Sequence, residues 1–129
     1  MKIKYRNLQK KFTLSRRTDE RWHLIRNLVT QLIMNERIKT TSAKAKHMQA
    51  TAEFLLAKAR RMVCKGENQH KAQIFRMLTT HEARIKLLQE IAPRLENVQG
   101  SCTKIKFLYR RKGDNAPVSF IEIVGKLNN

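Results

Sequence analysis

The chain has 129 residues, 41% of them apolar, and carries 28 Lys and Arg against 10 Asp and Glu, a formal net charge of +18. A charge of that size and single sign repels itself in a compact chain and calls for a polyanionic partner, and no apolar run approaches the roughly 18 residues that span a bilayer. Nucleic acid therefore stands ahead of a membrane surface, and the apolar content suffices for one modest core rather than several domains.

From Met1 to Thr18 the chain is a basic arm with no acidic residue, carrying Lys2, Lys4, Arg6, Lys10, Lys11, Arg16 and Arg17. Its apolar residues are scattered singly, so it is expected to stay disordered alone and to order against phosphates, the alternative being a solvated tail. It lacks the apolar segment of a cleavable secretory signal. A single domain is expected over residues 19–129.

Thr18 is read as the cap of a first helix, with Asp19 and Glu20 in the first turn, where the helix dipole favours anions. Leu24, Ile25, Leu28, Val29, Leu32 and Ile33 recur at helical spacing and predict a core helix to about Asn35. Trp22 is assigned to the core in preference to stacking on RNA. The β-branched run Arg37 to Thr41 predicts a short strand, and Ser42 is placed as the cap of the next helix.

That second helix is predicted from Ala43 to Lys65, with Gly66 ending it. Ala45, Met48, Ala52, Leu55, Leu56, Ala59, Met62 and Val63 form its buried face; Lys44, Lys46, Lys58, Arg60 and Arg61 lie opposite. Residues 68–78 read as a shorter helix using Ala72, Ile74, Phe75 and Leu78. Thr79 with Glu82 forms a capping box opening another, which bears Ile85, Leu88 and Ile91 and closes near Pro93.

After Gly100 the apolar period shifts to two, with Ile105, Phe107 and Tyr109 alternating against Lys104, Lys106 and Arg110. That predicts a half-buried strand with a basic outer face. A turn at residues 113–117 and a second strand from Val118 to Val124 complete a hairpin. The expected fold class is α+β, with three to four helices packed on a small two- or three-stranded sheet.

Catalytic arrangements are thin. His23, His47, His70 and His81 are dispersed, Cys64 and His70 are separated by a helix break, and no phosphate- or dinucleotide-binding Gly motif is present. Cys64 and Cys102 are read as reduced, buried or half-buried thiols. No metal, cofactor or small-molecule substrate is expected.

Several ordered motifs resemble one family. Leu14-Ser15-Arg16, Leu24-Ile25-Arg26-Asn27-Leu28, Asn35-Glu36-Arg37-Ile38-Lys39-Thr40-Thr41 and Ala43-Lys44-Ala45-Lys46 are similar to the opening half of the large ribosomal subunit protein 17 family, the bacterial type found also in mitochondria and chloroplasts. Ile91-Ala92-Pro93-Arg94, Thr103-Lys104-Ile105, Gly113-Asp114-Asn115-Ala116-Pro117 and Phe120-Ile121-Glu122 are similar to its second half, in the same order. The chain departs from the family's pattern at Glu20, where a His is common, and at Gly100-Ser101-Cys102-Thr103-Lys104, where Gly-Gly-Tyr-Thr-Arg is usual. The run from Arg21 to Leu28 resembles mitochondrial members more than typical bacterial ones.

The resemblance implies a non-enzymatic protein bound to large-subunit rRNA near the polypeptide tunnel exit, beside other proteins of that subunit, and a mitochondrial ribosome ahead of a bacterial or plastid one. By matching position it implies RNA contacts at Arg16, Arg21, Arg26, Asn27, Arg37, Lys39, Thr40, Thr41, Lys44 and Lys46. Thr103, Lys104, Arg110, Arg111 and Lys112 would contribute from the hairpin. An architectural DNA-binding protein remains the alternative from charge alone, and A-form RNA, recognised through shape, phosphate and 2′-hydroxyl, suits the same residue types.

Overall fold

The computed structural model describes residues 17–125, so the arm's Lys2, Lys4, Arg6, Lys10, Lys11 and Arg16 lie outside the described residues. Helix α1 (Thr18–Asn35) runs into strand β1 (Arg37–Thr41) and then the long helix α2 (Ser42–Lys65). A 3-10 turn (Asn68–His70) leads to α3 (Lys71–Met77) and α4 (His81–Lys86). A π-helical turn (Leu87–Ile91) carries α4 into a last helical turn (Ala92–Arg94). Strands β2 (Thr103–Arg110) and β3 (Pro117–Ile123) close the chain. The architecture is α+β, four helices on one three-stranded antiparallel sheet of order β1-β3-β2.

Helix α2 is the central rod, touching all three strands, α1, α3 and the last turn of α4. Its buried Ala45, Ala52 and Ala59 recur every seven residues, with Met48 and Leu55 between them, so small side chains let neighbours approach while larger ones fill the gaps. Ile25, Val29, Leu32 and Ile33 of α1, Ala83, Leu87 and Ile91 of α4, and Ile121 and Ile123 of β3 complete one core.

Local hydrogen-bond chemistry moves three predicted caps. Thr18 is the first helical residue of α1, behind Arg17, and no side chain caps that end. Ser42 likewise begins α2, and its hydroxyl pairs at 2.5 Å with that of Ser119 in β3, tying helix to sheet. The capping threonine of α4 is Thr80, which accepts from Ala83 N at 3.3 Å. Thr79 is engaged elsewhere: its N–H and hydroxyl both donate to the hydroxyl of Thr30, a buried α1 residue that donates in turn to the Arg26 carbonyl. Thr80→Ala is expected to cost about 1 kcal/mol of stability in urea unfolding, the usual value of such a cap.

The predicted faces also shift. Val63, Ile85 and Ala72 are exposed, as is Cys64, while Cys102 is buried. On α4 the buried series is Ala83, Leu87, Ile91, with spacing of four, rather than Ile85, Leu88, Ile91. The π turn, in which Ala92 N donates to Leu87 O, widens the rod just before Pro93, where a proline ring would otherwise press on the carbonyl four residues back. Trp22, 40% exposed, lines a cleft near the start of α1 rather than the core.

Helix α1 ends on Glu36, which takes a left-handed φ of 62° without being glycine. Its surroundings hold it there: the carboxylate pairs with Arg94, its carbonyl accepts from Ile123 N at 3.0 Å, and its N–H donates to Leu32 O at 2.7 Å. Gly66, with φ 71°, ends α2 as its sequence position predicts.

Candidate nucleic-acid interface

The sheet packs its inner face, Ile38, Ile121 and Ile105, onto the helices. Pleat alternation then turns three cross-strand rows to the other face: Arg37, Glu122 and Lys104; Lys39, Phe120 and Lys106; and Thr41, Val118 and Tyr109, of which Val118 is itself buried. Tyr109 joins this face because a bulge between Phe107 and Tyr109 reverses the alternation of β2 at that point. The predicted common face of Ile105, Phe107 and Tyr109 is therefore broken, and Phe107 and Tyr109 are 58% and 46% exposed on the edge strand rather than half-buried.

On the outer face cations and rings are already assembled. The Arg37 guanidinium stacks 3.7 Å from the centre of the Phe120 ring. Lys39 reaches across β3, with its ammonium 3.1 Å from the Tyr109 hydroxyl and 5.4 Å from that ring. Four cations there, Arg37, Lys39, Lys104 and Lys106, face one acid, Glu122.

A second basic region lies where α1 starts. Arg21 stands close enough to His47 of α2 that burial first, and the guanidinium second, hold the imidazole below its usual pKa of 6.5. Thr18, Trp22, Ile25 and Thr51 line the same cleft. Lys44 is one helical turn from His47, while Lys46 is one turn from Gln49, whose amide donates to Thr103 on β2 at 3.2 Å. The two lysines at the head of α2 thus link the α1 end to the sheet. Arg17, Asn27 and Lys46 are exposed, Arg26 and Thr40 half-buried.

Which cations are spent internally separates this surface from the rest. Arg84 donates to the Phe75 and Leu78 carbonyls, Lys86 to Met34 O at 2.7 Å, and Arg60 to Val98 O at 2.9 Å; with the Arg94–Glu36 pair they close helix ends and loops. Among the described residues, Arg111 is the only predicted contact residue in an ion pair, bound to Asp114 of its own turn at 2.5 Å. That hydrogen bond, with one from Ala116 N, holds the Asp114 carboxyl at about 2. Arg110 donates to Asn115 O at 3.3 Å, and Lys112 is exposed beside it. Arg26, like Arg84, has a buried Nε with no hydrogen-bond partner among the described residues.

Thr103 does not join the surface. It is 1% exposed, and its hydroxyl donates to Glu53 at 2.6 Å. Glu53 also accepts from the Ser101 hydroxyl, Cys102 N and Thr103 N, so the usual-family segment altered here, residues 100–104, is built around an acceptor on α2. Burial pushes the Glu53 carboxyl up, yet the four donors together outweigh it and the group lies below its usual 4.5. Burial and the neighbouring Glu53 push the Cys102 thiol up, which keeps it unreactive.

The family model for ribosomal protein L17 matches residues 24–124. The chain belongs to the ribosomal protein L17 family. Similar relatives include a large ribosomal subunit protein bL17 of Halalkalibacterium halodurans, 39% identical over 115 residues covering 86% of this chain and 96% of the relative. That of Thermomicrobium roseum is 38% identical over 122 residues, 95% of this chain and 99% of the relative. Members of this family are structural ribosomal proteins, so this L17-family chain is not an enzyme. Among its described residues no helix is long and apolar enough to cross a membrane.

Lys106, Tyr109 and Phe120 share the outer sheet face of this L17-family chain with predicted contact residues but were not named as contacts from the sequence. Lys106 was expected on the basic outer face of its strand, whereas nothing in the sequence marks the bulge that turns Tyr109 outward.

Proposed function

We propose that the chain binds and stabilises large-subunit rRNA as an architectural protein near the polypeptide tunnel exit, supporting assembly and translation beside neighbouring proteins of that subunit. The observation that carries this reading is the set of cations on α1, β1 and the head of α2 that, among the described residues, form no ion pair, in a chain of net charge +18. Arm residues Lys2 to Arg17 add to it on charge alone, consistent with a boundary between arm and domain near residue 18. The names of the relatives, each a large ribosomal subunit protein, support the subunit. The run from Arg21 to Leu28 supports a mitochondrial ribosome.

The test is a competition between a large-subunit rRNA fragment and duplex DNA of equal phosphate number at matched salt. The rRNA is expected to bind at least tenfold more tightly, because charge alone gives both polymers similar non-specific affinity and any surplus reports RNA shape. Equal affinity would replace this reading by that of a general architectural nucleic-acid-binding protein.

A further inference from the structure

We infer that the outer face of the sheet holds one unpaired RNA base, stacked on the Arg37 guanidinium with Phe120 beneath it; this rests on the rRNA reading and specifies the kind of nucleotide that this face takes. Stacking is favoured over simple phosphate contact by the geometry of the pair. The guanidinium carbon lies 3.7 Å from the ring centre, and because Arg37 is exposed, the side of the guanidinium away from Phe120 is left for a base to cover. Arg37 is exposed and, among the described residues, has no acid or acceptor holding it elsewhere.

A planar cation laid over an aromatic ring on an open sheet is a surface on which a splayed base can stack, and a base inside a duplex cannot present its face to it. Fixing the guanidinium on Phe120 before binding removes part of the ordering cost that a free arginine would carry. Lys39 is likewise held in advance by the Tyr109 hydroxyl, with its ammonium beside the ring, and Lys104 and Lys106 stand across β3. They supply charge for the phosphates on either side of the stacked nucleotide. Four cations against the single Glu122 suit the phosphates of an RNA strand.

The experiment uses the full chain with three probes of equal length: a single-stranded oligoribonucleotide carrying one 2-aminopurine, the corresponding RNA duplex, and the corresponding DNA duplex. Arg37→Lys keeps the charge and removes the plane; Phe120→Leu keeps an apolar residue and removes the ring. Each is expected to weaken single-strand binding on the order of tenfold, to leave duplex binding within about twofold, and to relieve the quenching of 2-aminopurine that stacking produces. Thermal melts confirm that each variant is folded, and Arg37→Lys, at an exposed edge position, keeps the test available if Phe120→Leu is not. Equal weakening on both RNA probes, or none on either, overturns the stacked base. Wild-type protein that prefers duplex DNA to both RNA probes overturns the rRNA reading itself, and the variants' effect on quenching is read independently of that preference.

Discussion

Glu53→Ala is expected to lower the unfolding free energy by about 2–4 kcal/mol, the cost of leaving several buried donors without an acceptor. The carboxylate accepts from Cys102 N at 2.9 Å, Thr103 N at 2.8 Å, the Thr103 hydroxyl at 2.6 Å and the Ser101 hydroxyl at 2.5 Å. Cys102 and Thr103 are both buried, so water cannot readily replace what is lost. These bonds fix the start of β2 against α2, and the Cys102 carbonyl in turn accepts from Val124 N, beyond the end of β3. The loss should therefore appear in urea unfolding as a lower midpoint and in thermal unfolding as a fall of roughly 10 °C.

The pH dependence follows from the same contacts. With the folded carboxyl below its usual 4.5, the unfolded chain binds the proton more readily, so this stabilisation is full above about 4.5 and is lost as pH falls through the folded value. The gap between wild type and Glu53→Ala should narrow on acidification. Glu53→Gln, which keeps one acceptor oxygen, should fall between the two. A Glu53→Ala variant as stable as wild type at neutral pH would show that residues 101–103 hold their place without α2.

The elements that sequence made legible are those whose signal repeats over several turns. α1 and α2 each display an apolar stripe long enough to outweigh any one residue, and Gly66 ends α2 because its φ of 71° suits glycine. What escaped was set by single contacts. Thr79 and Thr80 are adjacent hydroxyls with the same intrinsic ability to cap, and the choice between them is made by Thr30, 49 residues away. Trp22 has the apolarity of a core residue and the right spacing from Ile25, yet α2 offers it only the rim of a cleft. The interface divides in the same way. Its cations could be named from composition and motif, whereas the sheet's outer face depends on one bulge, since a one-residue slip in a strand exchanges every side chain after it between faces.

That distinction between spent and unspent charge yields the second large effect. Changing Arg21, Lys44 and Lys46 together to Gln is expected to weaken binding of a large-subunit rRNA fragment on the order of a hundredfold at about 0.1 M salt, and to reduce the salt slope by roughly two to three. The slope is the sharper measure. Each cation that neutralises a phosphate releases counterions, so its loss removes close to one from the slope whatever it does to shape recognition. Among the described residues these three have no acidic partner, and Arg21 lies against His47 while Lys44 and Lys46 leave the head of α2 toward α1 and toward the sheet. Lys86→Gln removes the same charge from a residue whose ammonium is bound to the Met34 carbonyl, and its slope should stay within about half a unit of wild type. If Lys86→Gln changed the slope as much per charge as the triple variant, the net charge of the whole chain would be acting, and the cation surface at α1, β1 and α2 would have no special place in binding.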